Sequence, residues 1–124
     1  MAKTLMIVDD SETMRKIIML TVRLSGLNFE KTEEAGNAVE ALKKLSLNPV
    51  DIMLCDINMP EMSGAELVKK ARQLPACENT KIIMVSDESS QELVDIAIAD
   101  GADGFIIKPF TSEMFQEKLS QFMN

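Results

Sequence analysis

The sequence contains no histidine, tryptophan or tyrosine, and it has only two cysteines. Histidine is the commonest general base and metal ligand, so any chemistry here must use carboxylates, lysine or hydroxyl groups. Any bound metal should be a hard cation that prefers oxygen ligands. The two cysteines, Cys55 and Cys77, are too few for a disulfide framework, and the apolar neighbours of Cys55 predict a buried thiol.

The chain also lacks an excess of positive charge and a long hydrophobic run. Its net charge is −7, which argues against nucleic acid as a partner. The short apolar stretch near the N-terminus leads directly into two acids, so we predict neither a signal peptide nor a membrane span. We therefore expect a cytoplasmic protein in which residues 1–124 form one domain, with no separate output domain.

Four short apolar runs predict strands that are buried on both faces of a parallel sheet. A weaker and partly charged segment at residues 29–34 predicts an edge strand. The four apolar runs span residues 5–8, 52–55, 82–85 and 105–107.

Segments with helical periodicity follow the strands and predict five helices, placed on both faces of the sheet by right-handed crossovers. Thr111 is positioned to cap the last helix, which should include Phe122. Helix-breaking residues end the other four, and in chain order they are Gly26, Pro49, Pro75 and Gly101.

Reactive side chains follow each of the four apolar strands. Asp9 and Asp10 follow the first, and the others are followed by Asp56, Ser86 and Lys108 in turn. Because α/β sheets bind ligands at the carboxyl ends of their strands, we expect these side chains to lie close together. Each one alone has an ordinary interpretation as a helix cap, a loop hydroxyl or a surface lysine. Their convergence on one edge is harder to explain in that way.

Carboxylates that share a small space disfavour one another's ionisation unless a cation relieves them. Lys108 would supply one positive charge, and carboxylate, carbonyl and water oxygens are the ligands that Mg²⁺ prefers. Such a pocket would accept an anion once metal is bound. Asp56 is then the natural nucleophile for a phosphoryl group, with Ser86 and Lys108 to hold the phosphoryl oxygens.

Four stretches carry a family resemblance: IVDDSETMRK, LCDINMPEMSGAEL, MVSDESS and GFIIKPFTSEMFQEKL. Together they resemble the receiver domain of bacterial two-component response regulators over essentially the whole chain, and most closely the single-domain chemotaxis regulators. The resemblance implies a flavodoxin-like (β/α)5 fold. Its sheet would be doubly wound, parallel and five-stranded, with strand order 2-1-3-4-5.

The resemblance also implies roles for individual residues. Asp9 and Asp10 would bind Mg²⁺, Asp56 would be both phosphoacceptor and metal ligand, and the backbone carbonyl of Asn58 would be a further ligand. Lys108 would bind the phosphoryl group.

Further implied roles concern switching and modulation. Ser86 would be the switch hydroxyl, Phe105 the switch aromatic that turns inward, and Lys108–Pro109 a cis peptide bond. Three neighbours are expected to modulate the reaction: Met14, Asp87 and Glu88.

The family pattern implies a regulatory protein rather than an enzyme, one that promotes its own phosphorylation and dephosphorylation. A sensor histidine kinase would donate the phosphoryl group. The surface of the fourth helix, fifth strand and fifth helix would then change partners, by a shift between two packings. The expected partners are a flagellar motor switch protein or another effector, and a phosphatase. We expect a monomer.

Two features leave alternatives open. Asp87 stands where the family usually has a small residue, so it either slows phosphoryl chemistry or points to solvent. The fourth helix, near residues 91–100, is unusually apolar, so it is either deeply seated or exposes a patch for a partner.

Other functions compete with the chemotaxis interpretation. A single-domain relay intermediate or phosphate sink would use the same site, and an inactive receiver-like module would lack part of it. A Mg²⁺-dependent phosphohydrolase would usually carry a second aspartate two residues after its nucleophile. That position is Asn58 here, which argues against efficient turnover.

Overall fold

Five strands pair in parallel to form one sheet with the order β2-β1-β3-β4-β5. The computed structural model describes residues 3–87 and 91–123. The strands are β1 Lys3–Val8, β2 Phe29–Ala35, β3 Ile52–Cys55, β4 Lys81–Ser86 and β5 Gly104–Ile107. The predicted strand order is confirmed, and so is the edge position of the partly charged strand.

Helices connect the strands in the predicted alternation. They are α1 Glu12–Leu24, α2 Ala38–Leu47, α3 Gly64–Arg72, α4 Gln91–Ala99 and α5 Ser112–Ser120, with a short 3-10 helix at Pro75–Cys77. In the part of the chain that the structure describes, no helix is long and apolar enough to cross a membrane.

Local sequence sets where the helices begin and end. Ser11 caps α1 by accepting a hydrogen bond from a backbone N–H, and Thr111 caps α5 in the same way, as predicted. Gly26 and Gly101 follow α1 and α4 with φ of 85° and 116°, a backbone conformation that favours glycine. Phe122 lies beyond the end of α5 rather than inside it, because that helix stops at Ser120.

The sheet separates two apolar layers, because successive strand residues point to opposite faces. Met6 and Val8 of β1 pack with α2, α3 and α4, whereas Leu5 and Ile7 pack with α1 and α5. The other central strands alternate in the same way. The predicted doubly wound architecture is therefore confirmed, and it directs the carboxyl ends of four apolar strands to one edge.

Candidate metal centre

Three carboxylates meet at the carboxyl edge of the sheet. Asp9 and Asp10 follow β1, Asp56 follows β3, and one oxygen from each lies within 4.8 Å of the others. Backbone bonds extend the sheet to this point, since the N–H of Asp9 donates to Ala35 O at 3.1 Å and that of Asp56 donates to Val8 O at 2.9 Å. The sheet therefore fixes the backbone from which two of the acids project.

Asp9 presents one carboxylate oxygen that accepts no hydrogen bond. Its Oδ1 accepts a hydrogen bond of 2.9 Å from the N–H of Ser11. Its Oδ2 is the one buried side-chain polar atom among the described residues without a hydrogen bond. A buried acceptor without a partner is unfavourable, and a bound cation would satisfy it.

Lys108 brings a positive charge near two of the acids without forming hydrogen bonds to them. Its Nζ lies 3.8 Å from Asp9 Oδ2 and 3.9 Å from Asp56 Oδ1, and its side chain is 20% exposed. The backbone N–H of Lys108 donates to Ser86 O at 2.8 Å, and the Lys108–Pro109 peptide bond is cis, as the resemblance implied. Lys108 is thus anchored to β4 and directed toward the acids.

Burial dominates the electrostatics of the site. The pKa of Asp56 is raised to about 6, with burial as the largest cause and the nearby Asp9 carboxylate as a smaller one, while the Lys108 ammonium and the backbone N–H groups of Ile57 and Asn58 oppose that rise. Burial also raises the pKa of Asp9, against the N–H of Ser11 and the Lys108 ammonium. The single ammonium therefore does not fully compensate these carboxylates.

This donor set fits a hard divalent cation. All three side chains offer carboxylate oxygens, one of them buried and without a hydrogen bond. A divalent ion here would lower the raised pKa values by favouring the ionised forms. Asp9, Asp10 and Asp56 are the residues that would hold Mg²⁺.

Gly64 is a residue of this site that the sequence analysis missed. A Cβ added at this position would lie 2.1 Å from Asp56 O and 2.9 Å from Ile57 Cα. The N–H of Gly64 also donates to Ile57 O at 2.8 Å. Glycine therefore lets the start of α3 pack directly against the segment that carries Asp56. A glycine at the first position of a helix was the signal that could have identified it.

The remaining predicted residues differ in how deeply they are buried. Ser86 is fully buried at the end of β4, and Asn58 is exposed just after Asp56. Phe105 is 9% exposed and belongs to the apolar layer under α2, α3 and α4. Phe105 is thus packed inward in this structure.

Two of the three expected modulators lie at the mouth of the site. Met14 and Asp87 line an open groove of about 400 Å³ together with Lys108, Pro109 and Phe110. Asp87 is exposed, which agrees with the alternative in which it points to solvent. Glu88 lies outside the described residues.

The outer face of α4 exposes apolar side chains. Ile96 and Ile98 are 47% and 46% exposed, whereas Ala97 is buried. Among the described residues of this helix, no other side chain is fully buried. The alternative of a deeply seated helix is therefore wrong, and an exposed apolar surface remains for a partner.

Comparisons with known proteins agree with this arrangement. A family model described as the response regulator receiver domain matches residues 5–120. Chemotaxis protein CheY1 of Helicobacter pylori is 43% identical over 116 residues, which cover 93% of this chain and 92% of that protein. Vibrio cholerae chemotaxis protein CheY4 superposes with a TM-score of 0.87 at 32% identity, covering 98% of this chain and 99% of the other. A chain of the Borrelia burgdorferi CheX–CheY–BeF3–Mg²⁺ complex gives 0.83 at 28% identity, covering 98% and 90%.

Proposed function

This chain belongs to the response regulator receiver domain family, in its chemotaxis branch, and we propose that Asp56 accepts a phosphoryl group in a Mg²⁺-dependent reaction. Membership confirms the resemblance noted in the sequence. Receiver domains are regulatory proteins rather than classical enzymes. The expected product is therefore a phosphorylated signalling state of one domain, rather than a released product.

One observation carries the proposal. Asp9 Oδ2 is buried without a hydrogen bond and lies 3.8 Å from Lys108 Nζ, and one carboxylate oxygen of Asp9 lies within 4.8 Å of oxygens of Asp10 and Asp56. A group of carboxylates in this condition is unfavourable for stability alone, and it suits a site that binds a divalent cation and then an anion. The same arrangement leaves Asp56 available at the edge of the sheet.

The residues divide the transfer step between them. A carboxylate oxygen of Asp56 forms a bond to phosphorus while the bond from phosphorus to the donor's imidazole nitrogen breaks, and the imidazole keeps that electron pair. The Lys108 ammonium and the Ser86 hydroxyl bind phosphoryl oxygens and so stabilise the charge that is being transferred. Asp9, Asp10 and Asp56 would hold Mg²⁺, which would supply positive charge to offset the carboxylates and the incoming phosphoryl group.

The output is a change of packing. Ser86 and Phe105 lie on neighbouring strands, with Ser86 opposite Ile107 and Phe105 opposite Met84 in the β4–β5 pairing. A hydroxyl drawn toward the phosphoryl group would bias the packing of this strand pair and of α4. Because Phe105 is already buried here, we expect phosphorylation to increase the population of an inward packing that the chain already adopts.

Partners follow from the family and from the exposed surface of α4. Chemotaxis-type receiver domains interact with histidine kinases and with effectors. For this chain we propose a sensor histidine kinase as donor, the flagellar motor switch as effector, a separate phosphatase, and a monomer acting in the cytoplasm as one domain. A relay intermediate or phosphate sink is the second candidate, since it would use the same acceptor.

The central experiment is phosphorylation followed by intact-mass analysis. Wild type, Asp56→Asn and the exposed control Asp95→Asn are incubated with acetyl phosphate, with Mg²⁺ or with EDTA. We expect a hydroxylamine-labile phosphoryl adduct on wild type and Asp95→Asn only when Mg²⁺ is present. An equal adduct on Asp56→Asn, or none on wild type, would refute the proposal.

Two further measurements separate the candidate roles. Capture of purified motor switch protein and of a histidine phosphotransfer domain, each with and without beryllofluoride, distinguishes an effector switch from a relay. Rapid multiple turnover of a small phosphate ester would instead favour the phosphohydrolase.

Asp87→Ala tests whether Asp87 modulates the reaction, with phosphorylation and decay rates as the measurement. Unchanged rates would show that this exposed carboxylate plays no part.

A further inference from the structure

A second charged cluster lies behind the acidic edge, between α1 and the end of β2. Its centre is Arg15, whose side chain is only 15% exposed. Its Nε donates to Glu34 Oε1 at 2.9 Å, and its Nη1 donates to the backbone oxygen of Asp9 at 2.6 Å. A buried charge is tolerated where it is paired and hydrogen-bonded, and here the two bonds connect α1, β2 and the turn after β1.

The carbonyl group that Arg15 binds belongs to the peptide between the two candidate metal ligands, Asp9 and Asp10. A peptide group is planar, so a bond to its oxygen fixes the direction in which the chain continues into Asp10. Asp9 is also held by its N–H, which donates to Ala35 O, and by its Oδ1, which accepts from Ser11. Once these groups are fixed, Oδ2 is the atom that remains available for a ligand.

We propose that Arg15 is a positioning residue for the metal centre, and that Glu34 contributes by holding Arg15 in place. The inference rests on the proposed function, because it concerns the geometry of the same carboxylates. Arg15 acts through the Asp9 carbonyl and the turn, rather than by touching the metal. Mutation of a residue that hydrogen-bonds to a metal ligand commonly weakens metal affinity by about 10- to 100-fold, and Arg15 forms such a bond to Asp9.

The planar fork of the guanidinium is the part of Arg15 that matters. It forms its two bonds in a fixed relative direction, which a flexible lysine ammonium cannot reproduce. If Arg15 acted only through its charge, Arg15→Lys would bind metal as wild type does. Positioning instead predicts that Arg15→Lys resembles Arg15→Ala.

Metal binding is measured directly because the chain has no tryptophan to report it. Free Mn²⁺ is titrated by electron paramagnetic resonance against the full chain, and Mg²⁺ affinity follows from competition. We expect both Arg15→Ala and Arg15→Lys to weaken binding by about tenfold or more. Lys16→Ala is the matched control, since Lys16 is an exposed cation on the same helix that pairs with Glu12, and it should bind as wild type does.

Glu34 gives an independent test through a double-mutant cycle. Glu34→Ala should weaken binding less than Arg15→Ala, by about three- to tenfold, because the Asp9 bond can still form. If Glu34 acts only through Arg15, the double variant should bind no more weakly than Arg15→Ala. Additive losses would overturn the role assigned to Glu34.

Circular dichroism establishes that each variant is folded at the temperature of the titration. Arg15 variants that are folded, less stable and unchanged in metal affinity would show a merely structural role and overturn the inference. If Arg15→Ala does not fold, Arg15→Lys and Glu34→Ala decide the matter by the same criterion. Failure of wild type to bind either metal would refute the proposed function instead, so the two failures are distinguishable.

Discussion

At the amino-terminal edge of the sheet Arg72 donates four hydrogen bonds, whereas at the carboxyl edge Lys108 comes no closer than 3.8 Å to its carboxylates. The Arg72 bonds are 2.8 to 3.0 Å long and reach Gly101, Cys77, Thr80 and Asp103. These two cations stand at opposite ends of the same strands. They differ in that Arg72 forms hydrogen bonds to its partners, whereas Lys108 forms only longer ion pairs with its carboxylates.

Two acids of the amino edge, Asp51 and Asp103, accept hydrogen bonds. Asp103 Oδ2 accepts bonds from both Arg72 and the backbone N–H of Ile82, each at 2.8 Å. Asp51 Oδ2 accepts a bond of 2.8 Å from the N–H of Thr4. This edge binds strands and helix ends to one another, and its charges contribute to stability.

The acids of the carboxyl edge are left partly uncompensated. Burial raises the pKa of Asp9 and Asp56, and Asp9 Oδ2 has no hydrogen bond. The comparison teaches that this fold can satisfy acids at a strand end and does so where no ligand is expected. The carboxylates of the carboxyl edge therefore have less compensating charge and fewer hydrogen bonds than Asp51 and Asp103, which is what the proposed binding of a cation would require.

The largest predicted effect lies at the amino edge. Arg72→Met should lower the free energy of unfolding by about 3 kcal/mol, because it leaves Asp103 and three carbonyl groups short of a donor. Urea denaturation measures it. The control Lys69→Met removes a cation of the same helix whose side chain is 62% exposed and whose pair with Asp100 is 3.8 Å long, and it should change stability by about 0.5 kcal/mol or less. Equal losses in the two variants would contradict the contrast.

The next effect is a pH dependence at the carboxyl edge. The pKa of Asp56 is raised to about 6 in the folded state, above its value in the unfolded chain. The contribution of Asp56 to the free energy of unfolding is therefore fully present below the unfolded pKa, and it is lost as the pH rises through about 6. In EDTA, wild type should lose about 2 kcal/mol relative to Asp56→Asn between about pH 4 and pH 7. Urea denaturation across this range measures the difference, and parallel stability curves would show that Asp56 is not perturbed.

The smallest effect is removal of the cation at the carboxyl edge. Lys108→Met in EDTA should lower stability at neutral pH by about 1 kcal/mol or less, since its pairs are long and the ammonium is partly hydrated. Loss of its positive charge should also move the Asp56 titration to higher pH. A destabilisation as large as that of Arg72→Met would remove the difference between the two edges.

Sequence patterns predicted the parts of the fold that depend on local periodicity. Apolar runs identified the strands, and the polar residue after each run identified the edge where Asp9, Asp56 and Lys108 meet. That inference succeeds because parallel strands bring their carboxyl ends together whatever the details of packing.

Contacts that depend on packing between distant elements were not predicted. The bonds of Arg72 to Gly101 and Asp103 cross 29 and 31 residues, and the bond of Arg15 to Glu34 crosses 19. No periodicity marks such pairs, because a surface arginine and a buried one look alike in one sequence. Gly64 was missed for a similar reason, since its close approach to Asp56 O appears only when α3 docks.

The most direct test of the central claim is the effect of Mg²⁺ on the free energy of unfolding at neutral pH. If the metal supplies the charge that Asp9, Asp10 and Asp56 lack, about 10 mM Mg²⁺ should stabilise wild type by about 1 kcal/mol for a millimolar dissociation constant. The same addition should leave Asp9→Asn almost unchanged. No stabilisation of wild type, or an equal gain in Asp9→Asn, would contradict the account.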